Sequence, residues 1–269
     1  MSPTLPELEA MARKAGEILL EGFSARPGIE GNVKVKYKGE IDLVTEMDMR
    51  SEALLIGEIR QRYPQHAINT EESGELHGDA RRTWYIDPID GTVNYAHGVP
   101  LFAVSLAYAE DNQLQLGVVY NPVAGELFSA ERGRGSWLNG QPLRVSSAST
   151  LIESLLVTGF PYNIRTNPRN NLELYSRFSL MSQGVRRLGT AAIDLCFVAA
   201  GRVDGFWEME IKAFDVAAGG LIAAEAGAVV TTVYGNPDIL TPPNSILAAN
   251  PAIHAQLLQV IAETYPKNN

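Results

Sequence analysis

The sequence predicts an α/β protein with a mixed α+β N-terminal half, and three observations predict it. Residues 7–23 repeat apolar side chains at a helical interval. Residues 102–130 hold three apolar runs separated by turn-forming residues, a meander that suggests an antiparallel sheet. From Leu155 onward, strand and helix signals alternate as βαβαβαβ, the order of a layered α/β arrangement.

The elements follow in order. Leu8, Met11, Ala12, Ala15, Ile18, Leu19 and Phe23 form the stripe of a first helix, entered through Pro6. The basic stretch from Gly31 to Glu40, carrying Lys34, Lys36 and Lys38, reads as strand edges or a mobile loop. A second helix runs from about Glu46 to Tyr63, where Pro64 stops it. His66–Thr70 and Thr83–Ile86 read as short strands, each running into acidic residues. Phe102–Ala109, Leu114–Tyr120 and Glu126–Ala130 are the strands of the meander. Gly133-Arg134-Gly135-Ser136 lacks a dinucleotide fingerprint and reads as a hairpin turn. Then come a strand at Leu155–Gly159, a helix at Asn170–Ser182, a strand at Val185–Leu188 and a helix at Thr190–Ala200. A strand at Val203–Trp207, a helix at Val216–Ala226 and a strand at Ala228–Thr232 follow. Val145–Thr150 marks a seam within one domain, between subdomains of about 1–147 and about 148–269. It is too short and too apolar at its edges for a flexible linker.

Composition narrows the function classes. Twenty-two Lys+Arg against 31 Asp+Glu give 269 residues a net charge of −9. That balance argues against broad attraction to nucleic acid or anionic lipid. It leaves room for an anionic substrate, because metal ions reverse the local sign of an acidic site. No run approaches the roughly 18 consecutive apolar residues of a membrane span. The N-terminus lacks the basic-then-apolar order of a signal peptide. The single cysteine, Cys196, excludes an intramolecular disulfide and a cysteine zinc cluster and reads as a core residue. A cytoplasmic location is the expectation. His66, His77, His97 and His254 show no ligand spacing and read as surface or structural residues.

The chemistry concentrates in Trp84-Tyr85-Ile86-Asp87-Pro88-Ile89-Asp90-Gly91-Thr92-Val93-Asn94-Tyr95. An apolar strand delivers Asp87 and Asp90 at its carboxyl end, where α/β proteins place ligand sites. Gly91 lets the chain turn tightly into a short helix. Two carboxylates so spaced can converge on hard cations, which prefer oxygen ligands. The Gly91 and Thr92 amides then face outward at a helix start, a geometry suited to phosphate. Taken alone, the same residues could form an Asx turn that binds nothing.

Further acidic elements argue for a site. Asp42-Leu43-Val44-Thr45-Glu46-Met47-Asp48, Glu71-Glu72-Ser73 and Phe214-Asp215-Val216-Ala217-Ala218-Gly219 accompany the central stretch, as does Gly189-Thr190-Ala191-Ala192. Together, in order and spacing, they resemble the inositol monophosphatase family of magnesium-dependent, lithium-sensitive phosphatases across nearly the whole chain. The resemblance implies alternating helix and sheet layers, a sugar-phosphatase-like αβαβα sandwich, and a homodimer. It implies two to three Mg²⁺ per active site. Glu71, Asp87 and the Ile89 carbonyl would hold the first, Asp87, Asp90 and Asp215 the second, and Glu71 with waters the third. Gly91 and Thr92 would hold phosphate. Thr45 and Asp48 match a supporting pair, with Thr92 beside the attacking water. Asp90, Ala191, Glu208 and Asp215 match positions that meet the inositol hydroxyls. Thr70, Val93, Tyr95 and Phe214 depart from the usual family residues without removing a ligand. The family's catalytic-loop lysine falls between Lys36 and Lys38 and stays unassigned.

The implied reaction is hydrolysis of a phosphate monoester, of myo-inositol monophosphate first of all, by a metal-activated water. The four acids offset roughly four of the six positive charges on three Mg²⁺, leaving about +2 to match a phosphate dianion. Glu208 can accept hydrogen bonds from vicinal hydroxyls but would repel a second phosphate. Histidinol phosphate or broader sugar phosphates, fructose 1,6-bisphosphate included, are the alternatives. A regulatory binding protein on the same fold is a further one, disfavoured because all four carboxylates are present.

Overall fold

Burial decides the layers, and the apolar stripes show where each helix faces. The computed structural model describes residues 2–24, 35–37 and 43–265, with the side chains of residues 35–37, 43 and 44 left aside. Helix α1 (Leu5–Ser24) buries Leu8, Met11, Ala12, Ala15 and Leu19 along one face. The short strands β1 (Val35–Tyr37) and β2 (Leu43–Thr45) pair antiparallel. Helix α2 (Glu46–Arg62) starts at Thr45, whose side chain accepts from the Met47 and Asp48 amides while the Asp48 carboxylate accepts from the Thr45 amide. This reciprocal cap satisfies amides that the first helical turn leaves without partners.

Strands β3 (His66–Thr70), β4 (Gly74–Leu76) and β5 (Asp79–Asp90) follow, then the short helix α3 (Thr92–His97). The meander comprises β6 (Ala103–Glu110), β7 (Gln113–Asn121) and β8 (Glu126–Glu131), continued by β9 (Gly135–Leu138) and β10 (Gln141–Pro142). These strands form one sheet in the order β10-β9-β8-β7-β6-β5-β3-β4. Its described pairings are antiparallel except that β3 runs parallel to β5. The expected turn at 133–136 connects β8 to β9.

The remaining elements are β11 (Leu155–Thr158), α4 (Leu172–Met181), β12 (Gly184–Arg186), α5 (Ala191–Ala199), β13 (Gly205–Glu208) and α6 (Ala213–Glu225). After them come β14 (Val229–Thr231), β15 (Ile246–Ala249) and α7 (Pro251–Thr264). The second sheet has the order β12-β11-β13-β15-β14, with β12, β11 and β13 parallel and β15 antiparallel to both its neighbours. The last strand and helix lie beyond Thr232, where the sequence reading ends.

Three apolar clusters assemble the layers. One joins α1 and α2 to one face of the first sheet, through residues such as Leu19, Leu55, Trp84 and Val104. A second unites the opposite face of that sheet with α5, α6 and the second sheet, through Phe128, Ile193, Ala217 and Phe206. A third packs α4 and α7 on the far side of the second sheet, through Phe178, Leu257 and Trp207. Helices α5 and α6 are apolar nearly all round because both their faces are covered. The chain therefore has the expected αβαβα layering. Cys196 lies in the middle layer, fully buried.

Candidate active site

Strand register brings the first acids together. In the parallel pairing Thr70 stands opposite Ile86, so Glu71, just past the end of β3, comes beside Asp87, which stays in β5. The Glu71 amide donates to the Ile86 carbonyl at 3.3 Å, holding the two strand ends together. The register of β5 against β6 then shifts between Asp87 and Asp90. This irregularity falls on Pro88, which has no amide to give to the ladder. The Asp87 carboxylate accepts from the Ile89 amide at 3.0 Å, and the Pro88 carbonyl accepts from Ser51 Oγ at 3.1 Å. Gly91 follows with φ 95°, where an added Cβ would stand 3.2 Å from the Leu101 carbonyl oxygen. Only glycine takes that conformation without strain.

Distant segments supply the other acids. Ser105, opposite Asp87 in the sheet, donates at 3.4 Å to the Phe214 carbonyl, and so fixes the first turn of α6 where Asp215 sits. The Asp215 carboxylate accepts from the Lys212 amide at 2.9 Å. Asp90 Oδ2 accepts from Thr190 Oγ1 at 2.5 Å and from the Ala192 amide at 2.6 Å, which ties the strand end to the start of α5 beside Ala191. Glu208 ends β13, and because Thr158 pairs with Trp207, Gly159 falls beside it. A Cβ at Gly159 would collide with the Glu208 carboxylate, so the glycine leaves space for that side chain.

The grouping is electrostatically costly. Asp87 is 2% exposed, and burial together with the charges of Glu71, Asp90, Asp215 and Asp48 pushes its carboxyl well above the usual range. Burial, then Asp90 and Glu71, do the same to Asp215. Burial raises Asp90 to about 6 despite the opposing hydrogen bonds from Thr190 and Ala192. Burial and Asp90 raise Glu208 to about 8. Such a pile of acids favours the ionised state only beside a cation. The donors are hard oxygens, as Mg²⁺ prefers, so the residues fit that ion.

Beside these acids runs a hydroxyl chain. Thr45 Oγ1 donates to Asp48 Oδ2 at 2.5 Å, and Thr92 Oγ1 lies 3.0 Å from both Asp48 Oδ1 and the Ile89 carbonyl. Asp48 is fully buried, and desolvation raises its pKa above the usual carboxylate value. Asp48, Glu71 and Glu72 each bring an oxygen to within 4.8 Å of the others. Glu72 is absent from the ligand set the sequence suggests, although it stands in the same Glu-Glu pair. Thr190 and Ala192, which hold Asp90, are likewise missed as individual residues while lying in a recognised motif.

Asp42 and Lys38 lie outside the described residues; for Lys36 the structure describes only its backbone pairing with Val44. His66 accepts from Trp84 Nε1 at 3.1 Å and stacks on Tyr63 and Tyr108, and His254 bonds Thr231, so both have structural partners. No helix among the described residues is long and apolar enough to cross a membrane.

The inositol monophosphatase family model matches residues 1–265. The Nus factor SuhB of Escherichia coli is 40% identical over 259 residues, which cover 96% of this chain and 95% of that protein. An inositol-1-monophosphatase of Mesorhizobium japonicum is 39% identical over 251 residues, covering 93% and 92%. The structure of inositol monophosphatase from Anabaena (Nostoc) superposes with a TM-score of 0.86 at 40% identity, covering 98% of this chain and 96% of that one.

Proposed function

The chain belongs to the inositol monophosphatase family, and from that membership we propose that it hydrolyses phosphate monoesters with Mg²⁺, myo-inositol monophosphate first among them. The observation that carries this reading is the convergence of Glu71, Asp87, Asp90 and Asp215 around one another, reached from the ends of β3 and β5 and from the start of α6. Glu71, Asp87, Asp90, Asp215 and the Ile89 carbonyl would hold two to three ions. When bound, these ions supply Lewis acidity toward the phosphate and make a neighbouring water more acidic.

The protein's own groups divide the remaining work. Asp48 accepts from Thr45 and fixes the Thr92 hydroxyl, whose oxygen keeps a lone pair to orient the attacking water. The Gly91 and Thr92 amides take the phosphate oxygens, and the αL turn at Gly91 frees them to do so. Glu208, with Ala191, Asp90 and Asp215, receives the alcohol's hydroxyls. Bringing these groups to fixed positions is most of the task, because a phosphate monoester resists attack mainly through its charge.

On the same reading the acids of the metal site come largely from a first subdomain, about 1–147, and the alcohol contacts from a second, about 148–269. A homodimer, lithium sensitivity and a cytoplasmic location belong to this proposal, supported by the family resemblance. The name Nus factor SuhB among the relatives supports a second reading, a regulatory binding role on the same fold.

A phosphate-release panel with inositol 1-phosphate, histidinol phosphate, fructose 1,6-bisphosphate and AMP decides among these. The proposal expects the highest kcat/KM for inositol 1-phosphate. A higher value for another ester replaces the substrate assignment, and release from none of them favours the binding role.

A further inference from the structure

Three polar residues of α2, Asp48, Ser51 and Glu52, stand three and four positions apart, so they share one face of the helix, and all are buried. Two of them hold the end of β5 and the turn after it. Ser51 Oγ donates to the Pro88 carbonyl at 3.1 Å, and Asp48 accepts from Thr92 at 3.0 Å. The third, Glu52, is 2% exposed and is not among the acids expected to hold magnesium. It faces the other strand end that carries a ligand. Glu52 Oε2 accepts from Thr70 Oγ1 at 2.5 Å and from the Glu72 amide at 2.9 Å, and Glu52 Oε1 accepts from Ser73 Oγ.

These contacts bracket Glu71. The residue before it and the two after it all donate to one carboxylate, while the Glu71 amide donates to the Ile86 carbonyl. The bracketed segment is the turn between β3 and β4, closed by the pairing of Thr70 with Gly74. Strand β4 is three residues long and ends the sheet, so the ladder supports this turn from one side. Ser73 is exposed. A carboxylate only accepts, and its two oxygens have room for all three donors. Burying it without them would be costly, so Glu52 and the turn fix each other. Thr70, one of this chain's departures from the usual family residues, supplies the buried hydroxyl among the three.

We propose that Glu52 is a positioning residue for magnesium: through Thr70, Glu72 and Ser73 it holds the turn after β3, so that Glu71 already stands beside Asp87 when the ion arrives. Helix α2 then acts as one rigid part that sets the ends of β3 and β5 against each other. Leu55 and Ile59 continue the same face into the apolar cluster. Released from Glu52, the turn would have to be ordered by the ion itself, which costs about five- to thirty-fold in affinity for each residue fixed. The inference rests on the magnesium reading above and deepens it.

The test measures Mn²⁺, a hard ion that takes the same oxygen donors. Its binding to the ion-free protein is followed by electron paramagnetic resonance in wild type, Thr70→Val, Thr70→Ser and Ser73→Ala. Thr70→Val removes a donor to Glu52, Thr70→Ser keeps it, and Ser73→Ala removes one at an exposed position where folding is least at risk. Thr70→Val and Ser73→Ala should each weaken Mn²⁺ binding by about five-fold or more, whereas Thr70→Ser should bind as wild type does. In phosphate release, the Mg²⁺ concentration giving half the maximal rate should rise in the same variants, with kcat at saturating Mg²⁺ nearly kept. A contact that only supports the fold would lower Tm and leave the ion's affinity alone. Unchanged Mn²⁺ affinity in either folded donor-removing variant, or a Thr70→Ser variant as weak as Thr70→Val, would therefore overturn the proposal. Mn²⁺ binding to wild type without phosphate release would strike the phosphatase reading, while the affinity ratios would still decide the role of Glu52. Absence of Mn²⁺ binding to wild type would overturn the magnesium reading and this proposal together.

Discussion

Replacing Asp90 by asparagine should move stability and activity in opposite directions. Asp90 is 8% exposed, and its Oδ2 accepts from Thr190 Oγ1 and the Ala192 amide at 2.5 and 2.6 Å. The asparagine carbonyl can accept both bonds, so the change removes charge and little else. Burial raises the Asp90 pKa from 3.8 to about 6, so the folded chain holds a proton there that the unfolded chain has released. The folded state therefore loses stability as pH rises from 3.8 to about 6, and above that the full cost is present. A shift of about two units corresponds to about 3 kcal/mol. With ions removed at pH 7.5, Asp90→Asn should gain about 1–3 kcal/mol, a Tm increase of several degrees. The gain should shrink toward pH 4, where the wild-type acid is itself neutral. In Mg²⁺ the order reverses, because the variant has lost an ion's charge partner, and turnover should fall at least ~100-fold. Scanning calorimetry in EDTA at both pH values, with phosphate release in Mg²⁺, reads both effects. An ion-free Tm at pH 7.5 no higher than wild type, or near-normal Mg²⁺-dependent turnover, would refute the reasoning.

Other consequences are equally direct. Measured at pH 9, above the value of about 8 to which burial and Asp90 raise its carboxyl, Glu208→Gln removes a charged acceptor for hydroxyls, a loss of about 1.5–3 kcal/mol. It should cut kcat/KM for inositol 1-phosphate roughly 10- to 150-fold while p-nitrophenyl phosphate loses little; equal losses would show that Glu208 supports the site and carries no polyol specificity. Millimolar Li⁺ should inhibit uncompetitively through Asp87, Asp90 and Asp215, and insensitivity at saturating substrate would count against a site of this kind. Gly117→Ala would set a Cβ 2.9 Å from the Ala218 carbonyl oxygen, forcing α6 away from β7. That should destabilise by about 1–3 kcal/mol in denaturant titration, and a neutral result would mean the helix moves without cost.

What was legible in the sequence was local. The Asp87–Thr92 stretch reads as strand, turn and helix because those elements follow one another within a few residues. The first two helices and the meander declare themselves through periodicity and through Pro64 and the turn residues. Pro88 suggests an end to β5, yet the strand continues to Asp90, because the register shift spares the ladder the missing amide. The C-terminal strand has only the short apolar run Ile246–Ala249 as a cue, whereas α7 shows both the Asn250-Pro251 cap and the stripe Ile253, Leu257, Val260 and Ile261. Long-range placement was not legible. Nothing near Glu71 says that β3 runs parallel to β5 and delivers it beside Asp87.

The central claim is that the converging acids hold magnesium for phosphate ester hydrolysis. The most direct test titrates Mg²⁺ into the ion-free protein while phosphate released from inositol 1-phosphate is measured. The account predicts no release in EDTA, a saturable rise with Mg²⁺, and loss of that rise in Asp90→Asn. Release that survives exhaustive chelation, or none at any Mg²⁺ concentration, would contradict it.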